Sequence, residues 1–142
     1  MTDDSTLCNV DPETVPLFSL QGQVIRARVV DVYDGDTLKA IFILPGTARL
    51  VKMSCRLRGI DAPEIRPRKS IEGREEVMER ARASRKRLCG LVCNTPDPRH
   101  NTEVLTLECG PFDKYGRLLV RVVCRECVVN DVMIDEGWAR AM

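Results

Sequence analysis

No stretch of the sequence approaches the ~18 consecutive apolar residues that a membrane-spanning helix needs, so no transmembrane segment is expected. Residues 1–20, MTDDSTLCNVDPETVPLFSL, contain neither Lys nor Arg, and without a basic start and an apolar core they do not read as a secretory signal. An intracellular protein is the expectation. Net charge is also nearly absent. The 22 Lys and Arg residues against 21 Asp and Glu leave +1, too little for an overall field that would draw a polyanion. The single histidine, His100, lies in the Pro-rich stretch NTPDPRHNT and reads as a surface residue. No internal repeat or low-complexity segment is found.

What is present fits one globular domain. The chain has 142 residues, 44% of them hydrophobic and 30% charged. A domain of about this size buries roughly 68–70% of the surface its unfolded chain exposes, so it needs neither disulfide nor structural metal to fold. The 7 cysteines cannot all pair within one chain, and without an export signal they read as reduced thiols. Charge is segregated along the sequence: residues 1–20 are acidic, whereas residues 66–87 are rich in Arg and Lys. Taken alone, the basic stretch describes a solvated helix face with i, i+4 pairs such as Glu76 with Arg80.

Residues 1–20, broken by Pro12 and Pro16, predict a mostly irregular acidic arm, and residues 21–142 the domain. Val24–Tyr33 and Thr37–Leu44 are rich in β-branched and apolar residues around Asp34-Gly35, a hairpin signal. In LVKMSCRLR, Val51, Met53, Cys55 and Leu57 alternate with polar residues, which puts Arg56 and Arg58 on the polar face of a third strand. Apolar spacing turns helical from about Ile71 to Cys93 through Val77, Ala81, Leu88 and Val92. EVLTLEC and RLLVRVVC predict two more strands, and Asn130 is placed to cap a short final helix. The expected fold is a β-rich α+β domain: a five-stranded OB-type barrel with one long helix and a short C-terminal helix.

Three stretches carry chemistry. In DVYDGDTLKA, residues 31–40, the turn itself explains Asp34, since Asp tolerates left-handed backbone and bonds its own chain. Asp36 has no such explanation. It has poor strand propensity and adds repulsion to Asp34 unless a cation neutralises it. In RLRGIDAPE, residues 56–64, the arginines run into Asp61 and Glu64, which a tight turn can bring to one side. Equally, Asp-x-Pro-Glu can leave a strand and open a helical turn with Asp as cap. In FDKYGR, residues 112–117, Lys114-Tyr115-Gly116 can be a simple turn and Arg117 a solvent-facing edge residue. Together these residues are the inventory for cutting a phosphodiester with a hard metal ion. The metal binds carboxylate and phosphate oxygens, the arginines neutralise charge on phosphorus-bound oxygens, and a free carboxylate activates water.

DGDT at 34–37, RLRGIDAPE at 56–64, DKYGR at 113–117 and VVNDVMIDEGWA at 128–139 together resemble the staphylococcal nuclease (thermonuclease) family, in the same order around a central helix. The resemblance covers roughly residues 24–139 and implies an OB-type barrel and Ca²⁺-dependent hydrolysis of DNA and RNA. By similarity, Asp36 and Asp61 are the expected carboxylate ligands of Ca²⁺, with the backbone carbonyl of Ala62 as a further oxygen and Asp34 beside them. Glu64 matches the general base, Arg56 and Arg117 the phosphate-binding arginines, and Lys114 and Tyr115 the groups that flank the nucleotide. The expected partner is a DNA or RNA substrate, with no membrane involved and the protein a monomer.

Two features depart from the family pattern. The founding nuclease continues into tyrosine-bearing chain and a further helix, whereas this sequence stops at Met142, so contacts from that region are expected to be missing. Cys89, Cys93, Cys124 and Cys127 can form a four-thiolate zinc site if the pairs meet in space; buried thiols acting as small hydrophobes are the simpler reading. The competing function is an inactive barrel of this family that binds nucleic acid or protein. Such barrels lose the acidic and arginine positions, and Asp36, Arg56, Asp61, Glu64 and Arg117 are all retained here.

Overall fold

The computed structural model describes residues 4–142. The first three residues of the expected arm lie outside the described residues. Five long strands form the body: β1 (Val24–Val32), β2 (Thr37–Ile43), β3 (Leu50–Leu57), β5 (Leu105–Phe112) and β6 (Leu118–Cys124). Three two-residue strands accompany them: β4 (Ile60–Asp61), β7 (Cys127–Val128) and β8 (Arg140–Ala141). The long strands pair antiparallel in the order β3-β2-β1-β5-β6, and a parallel pairing of β3 with β6 closes the barrel. This is the five-stranded OB-type topology that the strand pattern predicts.

Alternation explains closure. Ile25, Ala27 and Val29 of β1, Leu38, Ala40 and Phe42 of β2, and Leu118, Val120 and Val122 of β6 all point inward and are buried. Each such Leu, Val or Phe side chain contributes about 1.5–3 kcal/mol relative to exposure. Curvature comes from register shifts between Val29 and Asp31 and between Cys109 and Phe112. Gly110 sits in the second shift, where a Cβ would lie 3.2 Å from the Leu119 carbonyl.

Helix α2 (Arg74–Val92) crosses the barrel with Ala81, Ser84, Leu88 and Val92 buried. It starts later than Ile71, behind a left-handed Gly73 at φ 68° that supplies no side-chain cap. The expected Glu76–Arg80 pair does not form among the described residues. The final helix, α3 (Val129–Asp135), corrects the assignment of Asn130 as its cap: Val128 occupies that position, and Asn130 lies buried in the first turn. Its side chain accepts from Val122 N–H at 2.9 Å and donates to the carbonyls of Arg58 and Val120 at 2.9 and 3.1 Å. The helix ends in a Schellman motif in which Gly137 N–H donates to Ile134 O and Trp138 N–H to Met133 O, so Trp138 lies beyond it. In the arm expected to be irregular, Asp4–Asn9 forms α1, a short helix with no buried residue.

The thiols do not assemble a zinc site. All 7 cysteines are free, Cys127 is exposed, and among the described residues no three His, Cys, Asp or Glu side chains are grouped to hold a metal. Burial, and then the neighbouring Cys89, push the Cys93 thiol up to about 12, which keeps it a neutral apolar filler.

Candidate active site

The connection between β1 and β2 is set by a close approach. Gly35 does not have a positive φ. A Cβ there would instead lie 2.8 Å from the Ala62 Cβ and collide with the Ser84 hydroxyl of α2. The turn is thus pressed onto the helix, and this carries Asp36 inward until it is 2% exposed.

Asp36 is fully partnered. Its Oδ1 accepts from the Thr37 hydroxyl at 2.8 Å, its Oδ2 accepts from Ala62 N–H at 2.9 Å, and Arg56 Nη1 lies 3.2 Å from Oδ2. Cross-strand register accounts for the ion pair, since Arg56 on β3 stands opposite Thr37 at the start of β2. Arg56 Nη2 lies 3.4 Å from Asp61 Oδ1 and donates to the Ile60 carbonyl at 3.1 Å. One guanidinium therefore joins the two carboxylates. Asp61 Oδ2 in turn accepts from Arg140 Nη2 at 3.0 Å, because β4 and β8 pair with Asp61 directly opposite Arg140.

Asp34 accepts the Asp36 N–H at 3.1 Å, the turn role expected of it. Burial first, and then the Asp36 carboxylate, raise its own carboxyl to about 7. Asp36 and Asp61 both present carboxylate oxygens to the Arg56 guanidinium, and oxygen donors of this kind are the chemistry a hard cation such as Ca²⁺ takes. Ala62 is tied into this arrangement through its N–H.

Residues 62–73 run from β4 to α2 without helical structure, so Asp61 caps no helix and Glu64 opens none. The exposed Glu64 lines a groove of ≈ 500 Å³ together with Asp61, Ala62, Arg80 and Arg140. Its carboxylate has no hydrogen bond or ion pair among the described residues.

Arg117, Lys114 and Tyr115 form a second cluster built on Asp113. Asp113 Oδ1 accepts from the backbone N–H groups of Tyr115 and Arg117, each at 2.9 Å, and Oδ2 accepts from Arg117 Nε at 2.7 Å. Burial opposes ionisation of Asp113, but these hydrogen bonds outweigh it and hold the carboxyl below its usual range. Arg117 and Lys114 sit over the exposed Tyr115 ring at 5.4 and 5.2 Å. The parallel register pairs Arg56 with Leu119, two residues beyond Arg117, which itself directly precedes β6. Arg56 and Arg117 do not share a carboxylate.

Sequence reasoning missed Asp113 and Arg140. An Asp four residues before an Arg across a Gly turn was a readable sign of the first. Nothing local marks the second, whose role comes from the β4–β8 pairing. Arg58, expected on the polar face beside Arg56, is exposed and follows directly on the end of β3, with its guanidinium beside Gly110.

A closed OB-type barrel with a carboxylate and arginine cluster at one rim defines the class of protein. Residues 54–142 match the family model described as staphylococcal nuclease homologue, and the chain belongs to that family. The matched span holds Arg56, Asp61, Glu64 and Arg117; Asp34 and Asp36 lie before it, and Asp36 is joined to it through Arg56 and Ala62. No curated protein matches the chain.

Proposed function

We propose that the protein is a Ca²⁺-dependent nuclease that hydrolyses phosphodiester bonds of DNA, RNA or both by in-line attack of water. The observation that carries this reading is the convergence of Asp36 and Asp61 on Arg56, beside a groove into which Glu64 projects without a partner. Asp36, Asp61 and the carbonyl of Ala62 would hold Ca²⁺, which when bound supplies Lewis-acid polarisation of a phosphate oxygen. Arg56, whose two terminal nitrogens face Asp36 and Asp61, would take phosphate oxygens as charge develops on them. Arg117, oriented by Asp113, takes another oxygen of the same phosphate. Glu64 accepts the proton of the attacking water. Lys114 and Tyr115 flank the nucleotide, and the protein acts as a monomer.

Digestion of single-stranded DNA, duplex DNA and RNA with and without Ca²⁺ tests the proposal. Cutting of at least one polymer with Ca²⁺, abolished by EDTA, is the expected result. One observation favours a second reading, a barrel that binds without cutting: Arg56 and Arg140 occupy both oxygens of Asp61. Retention of the polymers with no cleavage in Ca²⁺ would decide for that reading.

A further inference from the structure

A larger groove of ≈ 1150 Å³ lies apart from the Glu64 groove, between the C-terminal half of α2, the segment 94–99 and the end of β1. Its walls carry Arg82, Arg85, Lys86, Arg99 and Arg125 against only two acids, Asp31 and Asp97. The acids do not balance the cations on the helix. Asp97 is taken by Arg99 at 2.8 Å, and Arg125 is fixed by Glu103 at 3.0 Å and by the carbonyls of Gly90 and Cys93. Arg82, Arg85 and Lys86 are exposed and form no ion pair or hydrogen bond among the described residues. Three free cations thus stand within about one turn of a rigid helix, over ~6 Å of its axis.

A nucleic acid backbone matches this arrangement, since each strand of a B-form duplex carries one charge per ~3.4 Å of helix axis. The recessed shape, with the free cations along one wall, suits a strand better than the flat surface of a bilayer. No aromatic side chain lines the groove, so it offers no platform for base stacking and addresses the backbone alone. We propose that this groove is a second, sequence-independent track for the phosphate backbone of a nucleic acid strand, separate from the cleft at Glu64. The inference rests on nucleic acid being the ligand, and it does not depend on whether the cleft cuts.

The test is fluorescence anisotropy of a labelled 20-nucleotide single strand in EDTA, with the Arg82→Ala, Arg85→Ala, Lys86→Ala triple variant beside the unsubstituted protein. The expected result is a loss of about tenfold or more in affinity and a salt slope smaller by roughly 2, at ~0.7 for each phosphate that the variant leaves unneutralised. The single charge reversal Arg85→Glu, at an exposed position, should weaken binding in the same direction. Equal binding by the triple variant would overturn the proposal. So would an equal loss from Lys39→Ala, Arg49→Ala, Lys52→Ala on β2, β3 and their connection, a strong dependence on base sequence, or binding only to vesicles with 30% phosphatidylserine. Cleavage of a single-nucleotide nitrophenyl phosphodiester by the unsubstituted protein in Ca²⁺ reports on the cleft alone. Its absence beside a weakened triple variant would end the catalytic reading and leave the groove standing.

Discussion

Arg56 holds the candidate site together, because its two terminal nitrogens face two different carboxylates. Replacing it with Lys keeps the charge but removes the planar fork, and Arg117→Lys does the same at the second arginine. Each substitution should slow single-turnover cleavage by about 10², the scale of losing one oxyanion donor. Glu64→Gln should cut the rate by roughly 10²–10⁴ while leaving Ca²⁺ affinity within a few-fold, which separates it from Asp61 in a paired rate and Ca²⁺ titration. Asp113 makes a claim about pH. Its carboxyl is depressed in the fold, so its contribution to stability is fully present above the ordinary carboxylate value of about 3.9 and disappears as pH falls through the lower folded value. Melting temperatures of Asp113→Asn should therefore fall less steeply than those of the parent below about pH 4. At this scale the sequence was informative where a residue contradicted its local surroundings, as Asp36 did at a strand start. It was silent on Arg140, whose contact with Asp61 depends on two distant short strands.

Among the elements, the β1–β2 connection shows how a correct local signal can conceal the reason for it. Asp34-Gly35 marked the hairpin, yet Gly35 is required by the proximity of Ser84 and Ala62 rather than by a left-handed backbone. Gly35→Ala should destabilise the fold by about 1–3 kcal/mol in urea unfolding, the range for overpacking, because both neighbours are themselves buried. Alternation and helical spacing made the five long strands and α2 legible, since each buries one face against a single core. Asn130 was misread because capping is a local property, whereas its buried amide links α3 to β6 and to the carbonyl of Arg58. The two-residue strands had too few residues to show any period, and α1 buries nothing that would leave an apolar pattern.

At the scale of the molecule, barrel closure assembles the site. The parallel β3–β6 pairing sets Arg56 opposite Leu119, close in sequence to Arg117, the β1–β2 turn brings in Asp36, and β4 leads through Asp61 to Glu64. A centre with two carboxylates and otherwise neutral oxygens should work with Ca²⁺ in preference to Mg²⁺, which demands a tighter octahedron. The most direct test is single-turnover cleavage of a labelled oligonucleotide across a Ca²⁺ titration, run for the parent and for Asp61→Ala. The parent should cut in Ca²⁺ and not in excess EDTA, and the variant should need about tenfold more Ca²⁺ or higher for its residual rate. Undiminished cutting in chelator, or superimposable Ca²⁺ curves for the two proteins, would contradict a metal centre at Asp36 and Asp61.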